Sequence, residues 1–179
     1  DTKRTCSGKK NLTIEDTPSM LLRDLDAGVW KDEKFKGEKI PFLSEIIETV
    51  SEGKSLVVEI KCGADVIPHL SRFMEKHGNE KQIVFIAFDW KTIVETKKEF
   101  PDKSIGLLIT KTRNKKQAKQ SDIIITTDKT FTNGVDIPDF QILINTIPFS
   151  SEVTAEQILG RLREIEGKQV MYLDFMDKA

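Results

Sequence analysis

The sequence predicts an α/β fold, a mostly parallel sheet with helices on both faces. Three observations carry this reading. From residue 55 onward, short runs rich in Ile, Val, Leu and Phe recur along the chain. Between them lie stretches whose apolar residues return every three or four positions, the period of a helix with one buried stripe. The strand-like runs are apolar nearly throughout, as expected where both faces of a sheet are covered. With 179 residues, 38% of them hydrophobic and 32% charged, the chain is long enough to bury such a core without staples.

Taken in order, Thr5 to Asn11 is polar, contains Gly8 and lysines, and reads as a loop. Residues 1–55 hold no strong strand. Asp16-Thr17-Pro18 reads as a helix start, because Asp or Thr caps and Pro is tolerated in a first turn. Met20, Leu21, Leu22 and Leu25 then supply a short apolar face that ends near Gly28. Ser44, Glu45, Ile46, Ile47 and Val50 suggest a second helix stopped by Gly53. Ser55 to Ile60 reads as a strand. Asp65 to His77 follows as an amphipathic helix with Val66, Ile67, Leu70, Phe73 and Met74 on its apolar side. Ile83 to Phe88 is the next strand, and Trp90 to Phe100 a helix carrying Ile93 and Val94 and ended by Pro101. Strands are expected at Ile105 to Ile109, Ile123 to Thr127, Ile142 to Ile147 and Val170 to Phe175, with a helix at Val153 to Ile165.

Composition excludes several classes. Cys6 and Cys62 are far apart and form no CxxC pair, against a disulfide scaffold or a zinc site. No apolar run approaches the ~18 residues of a membrane span. Lys+Arg 28 against Asp+Glu 29 leaves a net charge of -1, so no global field advertises nucleic acid or membrane. The exception is local: Lys111, Arg113, Lys115, Lys116 and Lys119 form an acid-free basic run. It reads either as a solvated face or as a phosphate-contacting edge. The chain opens on Asp1 without a Met or a signal-like apolar segment, which reads as an excised or processed piece.

Four segments recur in a specific order: Asp1-Thr-Lys-Arg-Thr-Cys-Ser-Gly8, Leu25-Asp-Ala-Gly-Val-Trp30, Gly37-Glu-Lys-Ile-Pro-Phe-Leu-Ser-Glu45 and Val57-Val-Glu-Ile-Lys-Cys-Gly63. Together they make residues 1–104 resemble the glycerophosphodiester phosphodiesterases, TIM-barrel enzymes that hydrolyse glycerophosphodiesters with a divalent metal, Ca²⁺ or Mg²⁺. The residues themselves make chemical sense of one segment. Side chains alternate along a strand, so Glu59 and Lys61 share a side. At the C-terminal mouth of a barrel strand a carboxylate can hold a hard cation and an ammonium can meet a phosphate oxygen. The resemblance implies that Glu59 is a metal ligand and that Lys61 lies close to the phosphate; the plain alternative is a strand-end ion pair. It also implies two acid/base histidines and further carboxylates upstream of the segment matching Asp1. His69 and His77 fall on a predicted helix and read as solvated helix residues.

A second set of residues resembles the second RecA-like domain of superfamily 2 DNA helicases. Ile123-Ile-Ile-Thr-Thr127 and Gly134-Val-Asp-Ile-Pro138 look like motif V, and Gln157-x-x-Gly160-Arg161 looks like motif VI. That resemblance implies an ATP site using Asp136, Gln157, Arg161 and Arg163, with the arginines as fingers toward a γ-phosphate. It further implies contacts from Thr127, Lys115 and Lys116 to single-stranded DNA. No G-x-x-x-x-G-K-[ST] P-loop is present, so ATP and Mg²⁺ would require a partner domain.

The two resemblances divide the chain into 1–104 and 105–179, with 81–104 fitting either and a junction expected near residues 100–108. Three functions compete: a metal-dependent phosphodiesterase acting on a glycerophosphodiester substrate through Glu59 and Lys61; a helicase second domain that binds nucleic acid and ATP with a partner; and a structural α/β chimera without activity. The helicase reading implies a cytoplasmic protein, whereas the phosphodiesterase reading allows a periplasmic or secreted one.

Overall fold

The structure is a computed structural model that describes residues 12–77, 83–109, 117, 123–126, 142–145 and 171–174. The chain divides into two compact units, Asp1–Leu56 with Pro68–Gln82, and Val57–Ile67 with Ile83–Ala179. Neither division falls at residue 104.

In the first unit, helix α1 spans Ser19–Arg23 and α2 spans Leu43–Glu48. The apolar face expected over Met20 to Leu25 does not form. Five helical residues make less than two turns, and of them only Leu22 is buried, while Met20 is 71% exposed. Pro18, not Asp16 or Thr17, occupies the N-cap, because the Thr17 hydroxyl donates to the Thr13 carbonyl instead. Helix α2 buries Ile47 and starts one residue before Ser44, where the Glu45 carboxylate accepts the Phe42 N–H. It ends at Glu48, well short of Gly53, with the Thr49 hydroxyl donating to the Ile46 carbonyl.

Polar staples hold the rest of this unit. The Asp26 carboxylate accepts backbone N–H bonds from Gly28 (2.9 Å), Val29 (3.0 Å) and Gly37 (2.7 Å). Those donors, the backbone bond from Gly37 first after that from Val29, hold its pKa below the ordinary aspartate value. Gly28 is required here: a Cβ at that position would lie 2.0 Å from the Phe35 carbonyl oxygen. Arg23 forms a two-pronged pair with Glu45, donates to the Ile40 carbonyl at 3.0 Å and lies 4.6 Å over the Phe42 ring.

The second unit is built on a sheet of order β1-β2-β3-β4, with β1 at Leu56–Glu59, β2 at Ile83–Ala87, β3 at Ser104–Leu108 and β4 at Ile123–Ile125. β2, β3 and β4 run parallel. The Ile60 N–H donates to the Ile86 carbonyl at 2.8 Å, which sets β1 beside β2 in the same direction. An antiparallel β1 would instead run past Trp90, outside the strand. The sheet passes without a break through the expected junction at 100–108. β5 at Ile142–Asn145 and β6 at Met171–Asp174 pair in parallel as a separate sheet.

Between β1 and β2 the chain forms a 3-10 turn, Ala64–Val66, and helix α3, Ile67–His77. Its buried residues Ile67, Leu70 and Met74 are spaced as one helical stripe. Helix α4, Trp90–Glu99, is capped by Asp89, whose carboxylate accepts both the Thr92 N–H and the Thr92 hydroxyl at 2.7 Å. Its buried face is Thr92, Ile93 and Thr96 rather than Val94, and the Thr96 hydroxyl is satisfied by the Thr92 carbonyl. This helix packs on β2 and β3, and Phe100 at its end stacks on Phe85 with centroids 5.1 Å apart. The covered face of the sheet therefore carries Phe85, Ile83, Ala87, Ile105 and Leu107, all buried.

Candidate active site

Because side chains alternate, the residues between those buried ones point to the other side of the sheet. Registers fix how they line up. Ile86 pairs with Gly106 and Gly106 with Ile123; one step on, Leu108 pairs with Ile125. The bond from Ile60 to Ile86 sets Ile60 level with Ala87, as a parallel ladder requires. Glu59 is then level with Ile86, Gly106 and Ile123. Lys61 and Phe88 follow just past the ends of β1 and β2. Glu59 itself is the last residue of β1, at the carboxyl end of a strand, where the ligand sites of parallel α/β sheets are found.

At this edge the Lys61 ammonium stands 3.3 Å from the Glu59 carboxylate. The pair confirms that the two side chains share a side. Lys61 is 78% exposed and Glu59 29% exposed, so the contact is screened by water and free to exchange for a ligand. Gly63, with φ +82°, turns the chain out of the edge into the 3-10 turn.

The neighbouring carboxylate, Asp89, is already committed to the N-terminus of α4. The Thr92 hydroxyl and then the Thr92 N–H hold its pKa below the ordinary value. Sequence reading missed this role, although Asp89 three residues before Thr92 is itself a capping pattern. Among the described residues no group of three His, Cys, Asp or Glu side chains is placed to hold a metal ion. A Ca²⁺ ion takes six to eight oxygens, so Glu59 alone does not make a metal centre. His69 and His77 lie on α3, both exposed, and His77 stacks on Phe73 with centroids 4.9 Å apart. They are helix-surface residues, as expected. Thr127, Asp136, Gln157, Arg161, Arg163, Lys115 and Lys116 lie outside the described residues, as does the expected helix at Val153 to Ile165. No helix among the described residues is long and apolar enough to cross a membrane.

A parallel α/β unit with an acid and a base at the carboxyl ends of its strands defines a class of site, and similarity to known proteins narrows it. No known family profile matches the chain. Among curated proteins, the glycerophosphodiester phosphodiesterase of Caldanaerobacter subterraneus subsp. tengcongensis is 33% identical over 113 residues, covering 59% of this chain. The chain spans only 44% of the length of that relative. Two solved structures share the fold. A phosphodiesterase of Oleispira antarctica, in complex with its product sn-glycerol-3-phosphate, superposes with a TM-score of 0.63 at 21% identity, over 95% of this chain and 71% of that one. The glycerophosphodiester phosphodiesterase of Agrobacterium tumefaciens gives a TM-score of 0.54 at 16% identity, over 96% and 72%. At such identities the two structures speak to fold alone. The chain is thus homologous in part to a glycerophosphodiester phosphodiesterase, on a mixed α/β fold like that of TIM-barrel enzymes. The helicase resemblance of residues 105–179 finds no support in these comparisons, whose structural matches run through both halves.

Proposed function

We propose that this chain carries part of the site of a metal-dependent glycerophosphodiester phosphodiesterase, with Glu59 and Lys61 at its edge. The observation that carries the reading is that Glu59 and Lys61 lie 3.3 Å apart at the carboxyl end of β1. Partial homology to an enzyme of that activity supports it. So does the sn-glycerol-3-phosphate held by the Oleispira antarctica protein.

In this reading Lys61 neutralises and orients a phosphate oxygen, as a compact point charge at the end of a flexible stem. Glu59 contributes one hard oxygen ligand to a divalent cation, Ca²⁺ or Mg²⁺, and releases Lys61 to the phosphate when it does so. Such a cation, when bound, polarises the phosphoryl group. Among the described residues no group of three His, Cys, Asp or Glu side chains completes its shell.

Hydrolysis of glycerophosphocholine in the presence of Ca²⁺ or Mg²⁺ tests the proposal. The expected result is release of sn-glycerol-3-phosphate that falls at least about tenfold in Glu59→Ala. Turnover no greater than that of Glu59→Ala refutes it. The helicase reading rests on its sequence resemblance only. Its test is salt-dependent binding of single-stranded DNA, which neutralising Lys115 and Lys116 must weaken.

A further inference from the structure

After β1 the chain leaves the sheet through a short link held at both ends. At the near end Ile60 is buried and its N–H is bonded to the Ile86 carbonyl. At the far end the Ile67 N–H donates to the Ala64 carbonyl, which closes the 3-10 turn, and the Ile67 side chain is buried. Lys61, Cys62 and Gly63 lead from the first anchor into that turn, and Lys61 and Cys62 are exposed. Burial therefore does not fix where Lys61 stands. The backbone of the link does.

Within the link, Gly63 has φ +82° and ψ −171°. The Cβ of an L-residue closes this region by contact with its own backbone, so it is essentially reserved for glycine. Space is not the reason for the glycine, because a Cβ at this position would meet nothing within 4 Å. Nor is capping. Gly63 holds the position before the 3-10 turn, where Ser, Thr, Asp or Asn would serve as a cap, and no side-chain cap bond is made there. What the position requires is the dihedral itself.

We propose that Gly63 is a positioning residue for the Lys61 ammonium. Its positive φ sets the course of the link, and with it the point from which the lysine stem reaches a phosphate. This inference rests on the function proposed above and deepens it. A side chain at 63 drives φ back to negative values. With Ile60 and Ile67 anchored, residues 61 and 62 take up that rotation, and the Lys61 Cα moves relative to Glu59.

The test is calorimetric titration with sn-glycerol-3-phosphate of the native chain, Gly63→Ala, Lys61→Gln and the double variant. Gly53→Ala is the control: Gly53 has φ +73°, a Cβ there also meets nothing, and it precedes β1 rather than following it. Each protein is checked by circular dichroism for retained helix and strand content. Gly63→Ala should weaken binding at least about threefold, within the range of coupling between neighbouring residues, while Gly53→Ala leaves it unchanged. In the Lys61→Gln background Gly63→Ala should weaken binding no further, since no ammonium remains to be positioned. Gly63→D-Ala, introduced by peptide ligation at Cys62, should keep native affinity, because the mirror image of this dihedral pair is ordinary extended backbone. Native affinity in Gly63→Ala, an equal loss in Gly53→Ala, a loss that persists in the Lys61→Gln background, or no rescue by Gly63→D-Ala would overturn the positioning role. If Lys61→Gln alone still weakens binding, those outcomes leave the phosphate reading standing. Loss of helix and strand content in Gly63→Ala also overturns the proposal, since the glycine would then hold the fold rather than the lysine. Binding that ignores Lys61→Gln, or none by the native chain, overturns both readings.

Discussion

The two units are stabilised in different ways, and the difference decides what each can tolerate. The unit built on β1 to β4 is held by burial: Ile83, Phe85, Ile105 and Leu107 are almost entirely withdrawn from water. The unit that contains α1, α2 and most of α3 buries Leu22, Ile47, Leu70 and Met74 among its described residues, but no strand core like that of β2 and β3. It relies on one carboxylate gathering three backbone N–H groups and on an Arg–Glu pair. Hydrophobic burial is insensitive to pH and forgiving of shape, whereas polar cages titrate and depend on exact donors. The edge carrying Glu59 and Lys61 belongs to the first kind, so its charged residues are not needed to hold the fold. That freedom is what a ligand site requires.

The contrast can be broken most severely in the core. Phe85→Ala removes a fully buried ring and should cost about 3 to 5 kcal/mol, read as a lower urea midpoint with unchanged slope. A smaller effect is expected in the polar unit. Gly28→Ala drives a Cβ into the Phe35 carbonyl and should cost about 1 to 3 kcal/mol. Amide exchange should show this loss in residues 20–48, with β2 and β3 still protected. Gly37→Ala, where a Cβ meets nothing but φ is +92°, should cost only about 1 kcal/mol.

The same unit should be acid-sensitive. Asp26 has a depressed pKa in the folded chain, so its contribution is complete above its unfolded value of ~3.9 and is lost as pH falls through the folded value. Exchange of the Gly28, Val29 and Gly37 amides should therefore be constant from neutral pH to about pH 4, after correction for intrinsic rates, and accelerate below it. Asp26→Asn removes that acid step. The smallest expected effect is Lys61→Ala, which breaks an exposed pair and should change stability by less than about 1 kcal/mol.

Much of the sheet unit is legible in the sequence because its signals are local. The apolar runs at 55–60, 83–88, 105–109 and 123–125 hold strands β1 to β4. The Glu-x-Lys spacing places Glu59 and Lys61 on one side, as the structure has them. The polar unit is illegible for the opposite reason. Asp26 reaches Gly37 across 11 positions, and Arg23 reaches Glu45 across 22. No periodicity announces such pairs, and Met20 and Leu21, expected on an apolar face, are exposed. The strand expected over Ile83 to Phe88 stops at Ala87, one residue before the Asp89 cap of α4, and registers between strands are not written in either strand alone.

The central claim is that the exposed Lys61 ammonium receives a phosphate. Titration of the chain with sn-glycerol-3-phosphate tests it most directly, comparing the native chain with Lys61→Gln and with Lys98→Gln, a change on the α4 surface. A charge-assisted contact is worth about 1.5 to 3 kcal/mol, so Lys61→Gln should weaken binding about ten- to a hundredfold while Lys98→Gln leaves it unchanged. Affinity that is the same in all three proteins, or no binding to the native chain, would contradict the account.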